Sequence, residues 1–495
     1  MSRLISPERV GGTNDYTPAQ MAARRALLAK IMRVYQRYGF EELETPAMEF
    51  SNVLLGEHGD NRIWRTQPWS ISDIMRKLGD GKMTDEDAIR HLHSLTGADE
   101  IALRFDHTVP LARFVAANTG MLQPPWRRWC FGPVWRGDTT GAGRFSQFYQ
   151  LDADIVGDSS LVADDEIIAM MTEVLAAVTT RPTTVRWNSR KLINALALEL
   201  GITGTVVNAE TLQEEPRANA LFRALDKLDK IGWDGVREIL ERTPANEHDT
   251  LVLALDTRQI GVVEQFLDAT IQTDSADAAF TRLESVIGSV PVGAEGLADM
   301  RHVAGMLASM GVSRACVDFS VARGLGYYTG IVFESGIKGA ERFGSPYSGG
   351  RYDNLVARFT GDPLPCTGAS VGFDRLFAIL EELGELPQLR ASPVDVVIAD
   401  FGASRDSKGD PTVRAMALDV LTRVRRLGVS ACIYDGMNPS KMKAVFSYAD
   451  RIGAKRVIII GEREAAARSV NVKHLASRVE NTVGLEELQR FVTDP

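Results

Sequence analysis

The stretch that most constrains the fold of this 495-residue chain is Arg128 to Gly157, RWCFGPVWRGDTTGAGRFSQFYQLDADIVG. A strand-like run reaches Arg136, a glycine-rich loop from Gly137 to Gly143 turns the chain, and a second strand restarts near Arg144, which is the pattern of a hairpin. On the returning strand side chains alternate, so Phe148, Gln150, Asp152 and Asp154 share one face and Tyr149, Leu151, Ala153 and Ile155 the other. A strand with one face in water explains that alternation equally well. Arg136, Asp138 and Arg144 around the turn favour a phosphate-bearing ligand, because arginine forks set among carboxylates suit phosphate geometry. A second segment, Val321 to Glu334 (VARGLGYYTGIVFE), adds another arginine and two adjacent tyrosines.

The length predicts two or three domains, each with enough apolar content to bury a core. No run of about 18 apolar residues occurs, and the first residues, MSRLISPERVGGTNDYTP, lack the apolar stretch of a signal peptide, so a cytoplasmic protein with no membrane partner is expected. Cys130, Cys316, Cys366 and Cys432 are scattered without CxxC spacing, which argues against a metal site and predicts that they pack as small hydrophobes. The net charge is −9, yet residues 392 to 495 hold 16 Lys and Arg against 13 Asp and Glu, so the C-terminal part is the more basic one.

Residues 18 to 39 have helical apolar spacing and end at Gly39. FEELETPAMEF reads as a strand broken at Pro46, and RFDHTVPLAR (Arg104 to Arg113) as a polar turn before an apolar helix, with Asp106 and Thr108 as candidate caps. Ser159 to Ala177 reads as a helix and Thr183 to Asn188 as a strand. From about Ser189 to Gly311 the pattern is that of amphipathic helices without a chemical motif. SGGRYDNLVARF reads as a glycine turn into a helix, and TGASVGFDRLFAIL as a small-residue strand into a helix bearing Asp374 and Arg375. Beyond a polar linker at Glu381 to Pro393, strand and helix alternate, which predicts a small α/β domain with a mainly parallel sheet.

These residues resemble the histidyl-tRNA synthetases, class II aminoacyl-tRNA synthetases, over nearly the whole chain. YGFEELETPAMEF is similar to the class II dimer-interface motif, the hairpin to the second class motif, GASVGFDRL to the third, and RGLGYYTG to the signature of the histidine enzymes. The resemblance implies an α+β catalytic domain, an antiparallel sheet with flanking helices, over residues 1–188 and 312–385. It also implies a mainly helical insertion at 189–311 and an α/β anticodon-binding domain at 392–495. It implies ATP as substrate, carried with Mg2+, activation of L-histidine to its adenylate, transfer to the 3′ end of tRNA(His), and a homodimer. By motif, Arg136 and Arg323 would be catalytic at the α-phosphate, with Asp138, Arg144, Phe148 and Arg375 also on ATP. Asp106, Thr108 and Gln150 would hold the α-amino group, Asp154 and Tyr328 would bracket the imidazole, and Tyr327 and Tyr352 would complete the pocket.

Three positions depart from the family pattern. Gly326 stands where the signature usually has an acidic residue, His107 where a small or apolar one is usual, and the loop GDTTGAG lacks a long polar side chain. Small residues do not reach base edges. The loop therefore predicts an acceptor end read without the extra 5′ guanosine, which charging of transcripts with and without it would test. The rival is a catalytically idle relative such as the regulatory subunit of ATP phosphoribosyltransferase. Retention of Arg136, Arg323, Arg375 and the C-terminal domain weighs against it.

Overall fold

The computed structural model describes residues 6–54, 63–66, 78–80, 83, 84, 86, 87, 89, 100–137, 139–207, 214–243, 252–271, 275–322, 326–387, 389, 390, 392–402, 410–434 and 441–493. The hairpin is its longest pairing: Trp126–Trp135 and Gln147–Val156 run antiparallel, from Trp126 opposite Val156 to Trp135 opposite Gln147. Pro133 tolerates the strand position because, among the described residues, the short edge strand Glu41–Glu42 pairs only with Arg128 and Trp129, so no strand ladder flanks Pro133 on that side, while the hairpin pairing itself runs on to Trp135. The described residues of 1–14 and 27–386 form one compact unit, and those of 15–26 and 387–495 a second.

In the first unit the hairpin lies in an eight-stranded sheet. The order across it is Glu41–Glu42, Trp126–Trp135, Gln147–Val156, Cys366–Gly372, Tyr347–Arg351, Ile331–Ile337, Thr183–Ser189 and Ala315–Val317. The six central strands are antiparallel to their neighbours, while the two short edge strands pair in parallel, so the sheet is mixed rather than wholly antiparallel. The helix Val162–Val178 covers one face with Ile167, Ile168, Met171, Val174 and Leu175 buried. Each such side chain contributes about 1.5–3 kcal/mol on burial. Its Asp164 Oδ2 accepts from Arg351 Nε at 2.9 Å, fastening the helix to the strand Tyr347–Arg351 beneath it.

SGGR is a strand, not the expected glycine turn. A Cβ on Gly349 would stand 2.0 Å from the carbonyl oxygen of Gly368, so glycine there serves close strand approach. The strand Cys366–Gly372 leads into the helix Phe373–Glu382 as expected. Pairing of Cys366–Gly372 with the hairpin ends at Gln150 opposite Gly372, and one residue on the Asp374 carboxylate accepts the Tyr149 N–H at 2.7 Å. A side chain thus takes over where the backbone ladder stops, and it holds the start of this helix against the strand that carries Phe148 and Gln150.

The insertion contains the helices Arg190–Glu199, Ala218–Leu225, Leu228–Glu241, Thr257–Ile271, Ala276–Ile287 and Pro291–Ser309, together with an unexpected small hairpin of Thr205–Val207 and Glu214–Pro216. In the second unit the sheet order is Ala431–Ile433, Val396–Asp400, Arg456–Ile460, Ser469–His474, Glu480–Gly484. The first three strands are parallel, and the last two form an antiparallel hairpin that the strand and helix alternation did not predict. Val396 and Ile398 feed a core on one side of this sheet, Val397 and Ala399 one on the other, the two-sided burial of a parallel strand. Among the cysteines Cys130 and Cys366 are buried as expected, but Cys316 is exposed.

Candidate active site

One face of the hairpin's second strand, with Phe148, Gln150, Asp152 and Asp154, lines a cavity of about 1090 Å³ in the first unit. Asp106, Thr108, Arg136, Arg144, Tyr327, Tyr328, Tyr352 and Arg375 line the same cavity. Segments as far apart in sequence as Asp106 and Arg375 therefore converge on one space. Arg323, with Gly324 and Leu325, and Asp138 lie outside the described residues.

At one end the arginines are oriented by backbone. Arg136 Nε donates to the Phe105 carbonyl at 3.2 Å, and its guanidinium lies 4.3 Å from the Phe105 ring centre and 5.2 Å from that of Phe148. Arg375 Nη1 donates to the Ser345 carbonyl at 2.8 Å and its Nε to the Gly143 carbonyl at 3.3 Å. Glu382 accepts from Arg342. Backbone carbonyls help to orient both guanidinium planes, and guanidinium groups lining a cavity suit an anionic ligand.

Asp106 is indeed a cap: its Oδ1 accepts from the backbone N–H groups of Thr108 and Val109 at 3.2 and 3.1 Å. Thr108 is not; it is the first residue of the helix Thr108–Ala117. Beside them Gln150 is buried, and its Oε1 has no hydrogen-bond partner among the described residues. An orphaned acceptor in a cavity wall is a site for a ligand donor.

The floor is a buried polar network. Arg128, opposite Asp154 in the hairpin register, places Nη2 2.8 Å from Asp154 Oδ2 and donates to the His107 carbonyl at 3.2 Å. Tyr352 donates to Asp154 Oδ1 at 2.5 Å. Oδ1 of Asp154 is thus hydrogen-bonded, while Oδ2 lies at ion-pair distance from Arg128 and has no hydrogen-bond partner among the described residues. Asp152 accepts from the Ser370 hydroxyl. Burial raises the Asp152 carboxyl to about 7 and the neighbouring Asp154 adds to the rise, against opposing contributions from Arg128 and Ser370. His107 lies in the bend before the helix Thr108–Ala117 and is buried, with Nε2 3.2 Å from the Gly132 carbonyl and Nδ1 3.6 Å from Cys130 Sγ. Burial, then the cations Arg104 and Arg128, lower its pKa to about 3 and keep the ring neutral.

Tyr327 and Tyr328 both face the cavity, although a regular strand would send one to the core. Residues 326–330 are turn and irregular chain, which lets adjacent rings pack 4.8 Å apart on one side, with Tyr352 edge-on to Tyr327 at 5.9 Å. Arg128, Asp152 and Ser370 are the residues that motif matching missed. Counting the hairpin register from its turn pairs Arg128 with Asp154 and was the available signal for the first. No group of three His, Cys, Asp or Glu residues able to hold a metal occurs among the described residues.

A hairpin, an arginine-bearing strand-to-helix unit and a deep cavity on an antiparallel-centred sheet are the catalytic architecture of class II aminoacyl-tRNA synthetases. The histidyl-tRNA synthetase family model matches residues 68–376, and a model described as an anticodon binding domain matches residues 395–494. The chain belongs to the histidyl-tRNA synthetase family. It is 38% identical over 480 residues to a histidine–tRNA ligase of Paracoccus denitrificans, covering 94% of this chain and 89% of that one. A solved histidyl-tRNA synthetase from Nostoc sp. PCC 7120 aligns with TM-score 0.71 and 28% identity over 99% of both chains. A Bacillus halodurans structure titled ATP phosphoribosyltransferase regulatory subunit/histidyl-tRNA synthetase aligns with TM-score 0.63 at 21% identity, covering 92% of this chain and 99% of that one, and shares the fold alone.

Proposed function

We propose that the protein activates L-histidine with ATP and transfers it to the 3′ end of tRNA(His), releasing pyrophosphate and AMP. The observation that carries this reading is one cavity with two carbonyl-oriented arginines at one end and buried acceptors at the other, in a chain of this family. In this reading the α-phosphate lies at Arg136, adenine stacks on Phe148, and Arg144 and Arg375 take the outer phosphates. Arg323 joins Arg136 at the α-phosphate, and Asp138 also contacts ATP. The histidine ammonium is held by Asp106, Thr108 and Gln150, which supply acceptors to a group that only donates. Its ring lies among the floor carboxylates, Tyr327, Tyr328 and Tyr352.

The substrate carboxylate is itself the nucleophile at the α-phosphorus, so the first step needs no general base. One carboxylate oxygen forms the new bond to the α-phosphorus as the bond from that phosphorus to the pyrophosphate oxygen breaks. Arginines aimed at the phosphate stabilise the charge that builds up, and positioning supplies the rest. Mg2+ fits as a companion of the nucleotide phosphates rather than as a protein-caged ion. The working form in this reading is a cytoplasmic homodimer joined through the segment around Pro46. No helix among the described residues is long and apolar enough to cross a membrane.

The test is histidine-dependent exchange of labelled pyrophosphate into ATP without tRNA. The wild type is expected to exchange with histidine and no other amino acid, and Arg136→Ala to lose about a hundredfold to a thousandfold in kcat. Absence of exchange with every amino acid would favour an idle relative.

A further inference from the structure

We propose, on the basis of the histidine-activating reading, that Arg190 is a positioning residue for the signature segment Arg323 to Gly330. Through it the helical insertion sets the rate of amino-acid activation itself, apart from any contact with RNA.

The strand Thr183–Ser189 runs straight into the helix Arg190–Glu199 of the insertion, and this junction holds both flanks of the signature. The antiparallel ladder pairs Asn188 with Val332 and Ser189 with Ile331. The Arg190 N–H carries it one step further, to the Gly330 carbonyl at 2.8 Å. On the other flank the Asn188 side-chain amide donates to the carbonyls of Phe319 and Val321, both at 3.0 Å, and Arg190 Nη1 donates to the Ala322 carbonyl at 3.2 Å. Asn188 is fully buried and Arg190 is 5% exposed, so water is poorly placed to substitute for these bonds. Ala322 directly precedes Arg323 in the sequence, and Gly330 closely follows Tyr327 and Tyr328, which line the cavity. One residue thus grips the segment on both sides of its chemistry.

The guanidinium of Arg190 is in turn held by the insertion. It lies 3.4 Å from the ring centre of Phe222, and Nη2 is 3.5 Å from Asn219 Oδ1, both on the helix Ala218–Leu225. Phe222 is buried and is not one of the residues lining the cavity. A ring face attracts a cation most strongly where water is excluded, so Phe222 fixes the plane from which Nη1 reaches Ala322. Burial, with Arg223 adding to it, lowers the Arg190 pKa to about 10, which leaves the group charged at neutral pH. The docking of one insertion helix is therefore felt at the signature before any RNA arrives.

The test is tRNA-free, histidine-dependent pyrophosphate exchange, with Tm, for the wild type, Phe222→Leu, Arg190→Lys, the double variant and Val263→Ala. Phe222→Leu keeps an apolar side chain but removes the ring face. It is expected to lower kcat/KM for L-histidine by about threefold to thirtyfold, the range for losing a desolvated cation–π contact, while the KM for ATP stays within about twofold. Arg190→Lys keeps the charge without the planar fork and is expected to give the same split. In the double variant the losses should fail to add, because both act through one contact. Val263→Ala, in the core of the helix Thr257–Ile271, loosens the insertion elsewhere and should lower Tm with wild-type exchange. Wild-type kcat/KM for histidine in Phe222→Leu, or in Arg190→Lys if Phe222→Leu does not fold, overturns the proposal. So do additive losses in the double variant, or an equal loss in Val263→Ala. A defect confined to charging, with tRNA-free exchange intact, would overturn this assignment alone and leave the insertion to RNA. Lack of exchange by the wild type would overturn the histidine-activating reading, and this assignment with it.

Discussion

Asp165, in the first turns of the helix Val162–Val178, is buried with neither carboxylate oxygen hydrogen-bonded among the described residues. Burial raises its pKa to about 7, and the adjacent Asp164 and Glu166 add to the rise. A carboxyl raised in the folded state binds protons there that the unfolded chain has already released, so stability falls as pH climbs from about 4 to about 7 and stays low above that. His107 has the opposite sign: its pKa is lowered to about 3, so its contribution is lost as pH drops below the ordinary imidazole value of about 6.5. The two effects overlap in the wild-type curve and separate only by difference. Asp165→Asn is therefore expected to stabilise the protein by about 1–3 kcal/mol at pH 8 and to make no difference near pH 4. Denaturant unfolding of both forms across that range checks it, and a constant offset at all pH values would contradict it. At this scale the sequence was informative where chemistry repeats along one strand: the alternation of Phe148, Gln150, Asp152 and Asp154 marks a cavity wall. It was silent where the partner comes from elsewhere, since Tyr352 reaches Asp154 across 198 residues and only the fold brings them together.

The small sheet of Met48–Phe50, Ile101–Leu103 and Arg65–Thr66 shows what periodicity reveals about an element. Met48 and Phe50 point outward at 56% and 52% exposure and Ile101, opposite Phe50, at 38%, while Glu49 and Ala102 turn inward. A strand pattern with its apolar residues outside and a glutamate inside is inverted for a solvent-facing sheet. The inward Glu49 meets Arg113, whose Nε lies 2.8 Å from its Oε2. The outward face is suited to the proposed dimer. Sedimentation of the wild type is expected to give a dimer, and of Phe50→Glu a monomer with Tm lowered only as far as loss of the partner dictates. A monomeric wild type would remove the argument. The broken strand at Pro46 was readable from proline chemistry, but three other elements were not. The strand Tyr347–Arg351 was hidden because glycine signals a turn when read locally and close approach when read in the sheet. The hairpins at Thr205–Pro216 and Ser469–Gly484 were hidden because short paired strands inside helix-rich or alternating stretches carry little periodic signal.

Across the whole molecule the charge is divided, −9 in total but with the excess of Lys and Arg confined to residues 392 to 495. Much of that positive charge has structural employment: Arg425 donates to the Ala431 carbonyl at 2.9 Å, Arg423 to Asp419 at 2.8 Å, and Arg414 to Asp400 at 2.9 Å. Lys441 and Lys443 have none among the described residues and are exposed at the start of the helix Met442–Ile452. Cations are unfavourable at a helix N-terminus, so their place there costs stability unless an anion offsets it. This end of the helix follows the carboxyl end of the strand Ala431–Ile433, the edge of a parallel sheet where ligands bind. If the unit that matches the anticodon-binding model takes RNA, these lysines meet its phosphates. Lys441→Ala with Lys443→Ala is then expected to leave histidine-dependent pyrophosphate exchange unchanged, because that chemistry lies in the other unit. Charging of tRNA(His) should weaken, and the slope of log affinity against log salt should become shallower by about 1.4, two phosphate contacts at the single-strand value. Filter binding across a salt series together with exchange assays reads both. An unchanged slope would assign the lysines to solvent, and a loss of exchange would mean that the division of labour between the two units is wrong.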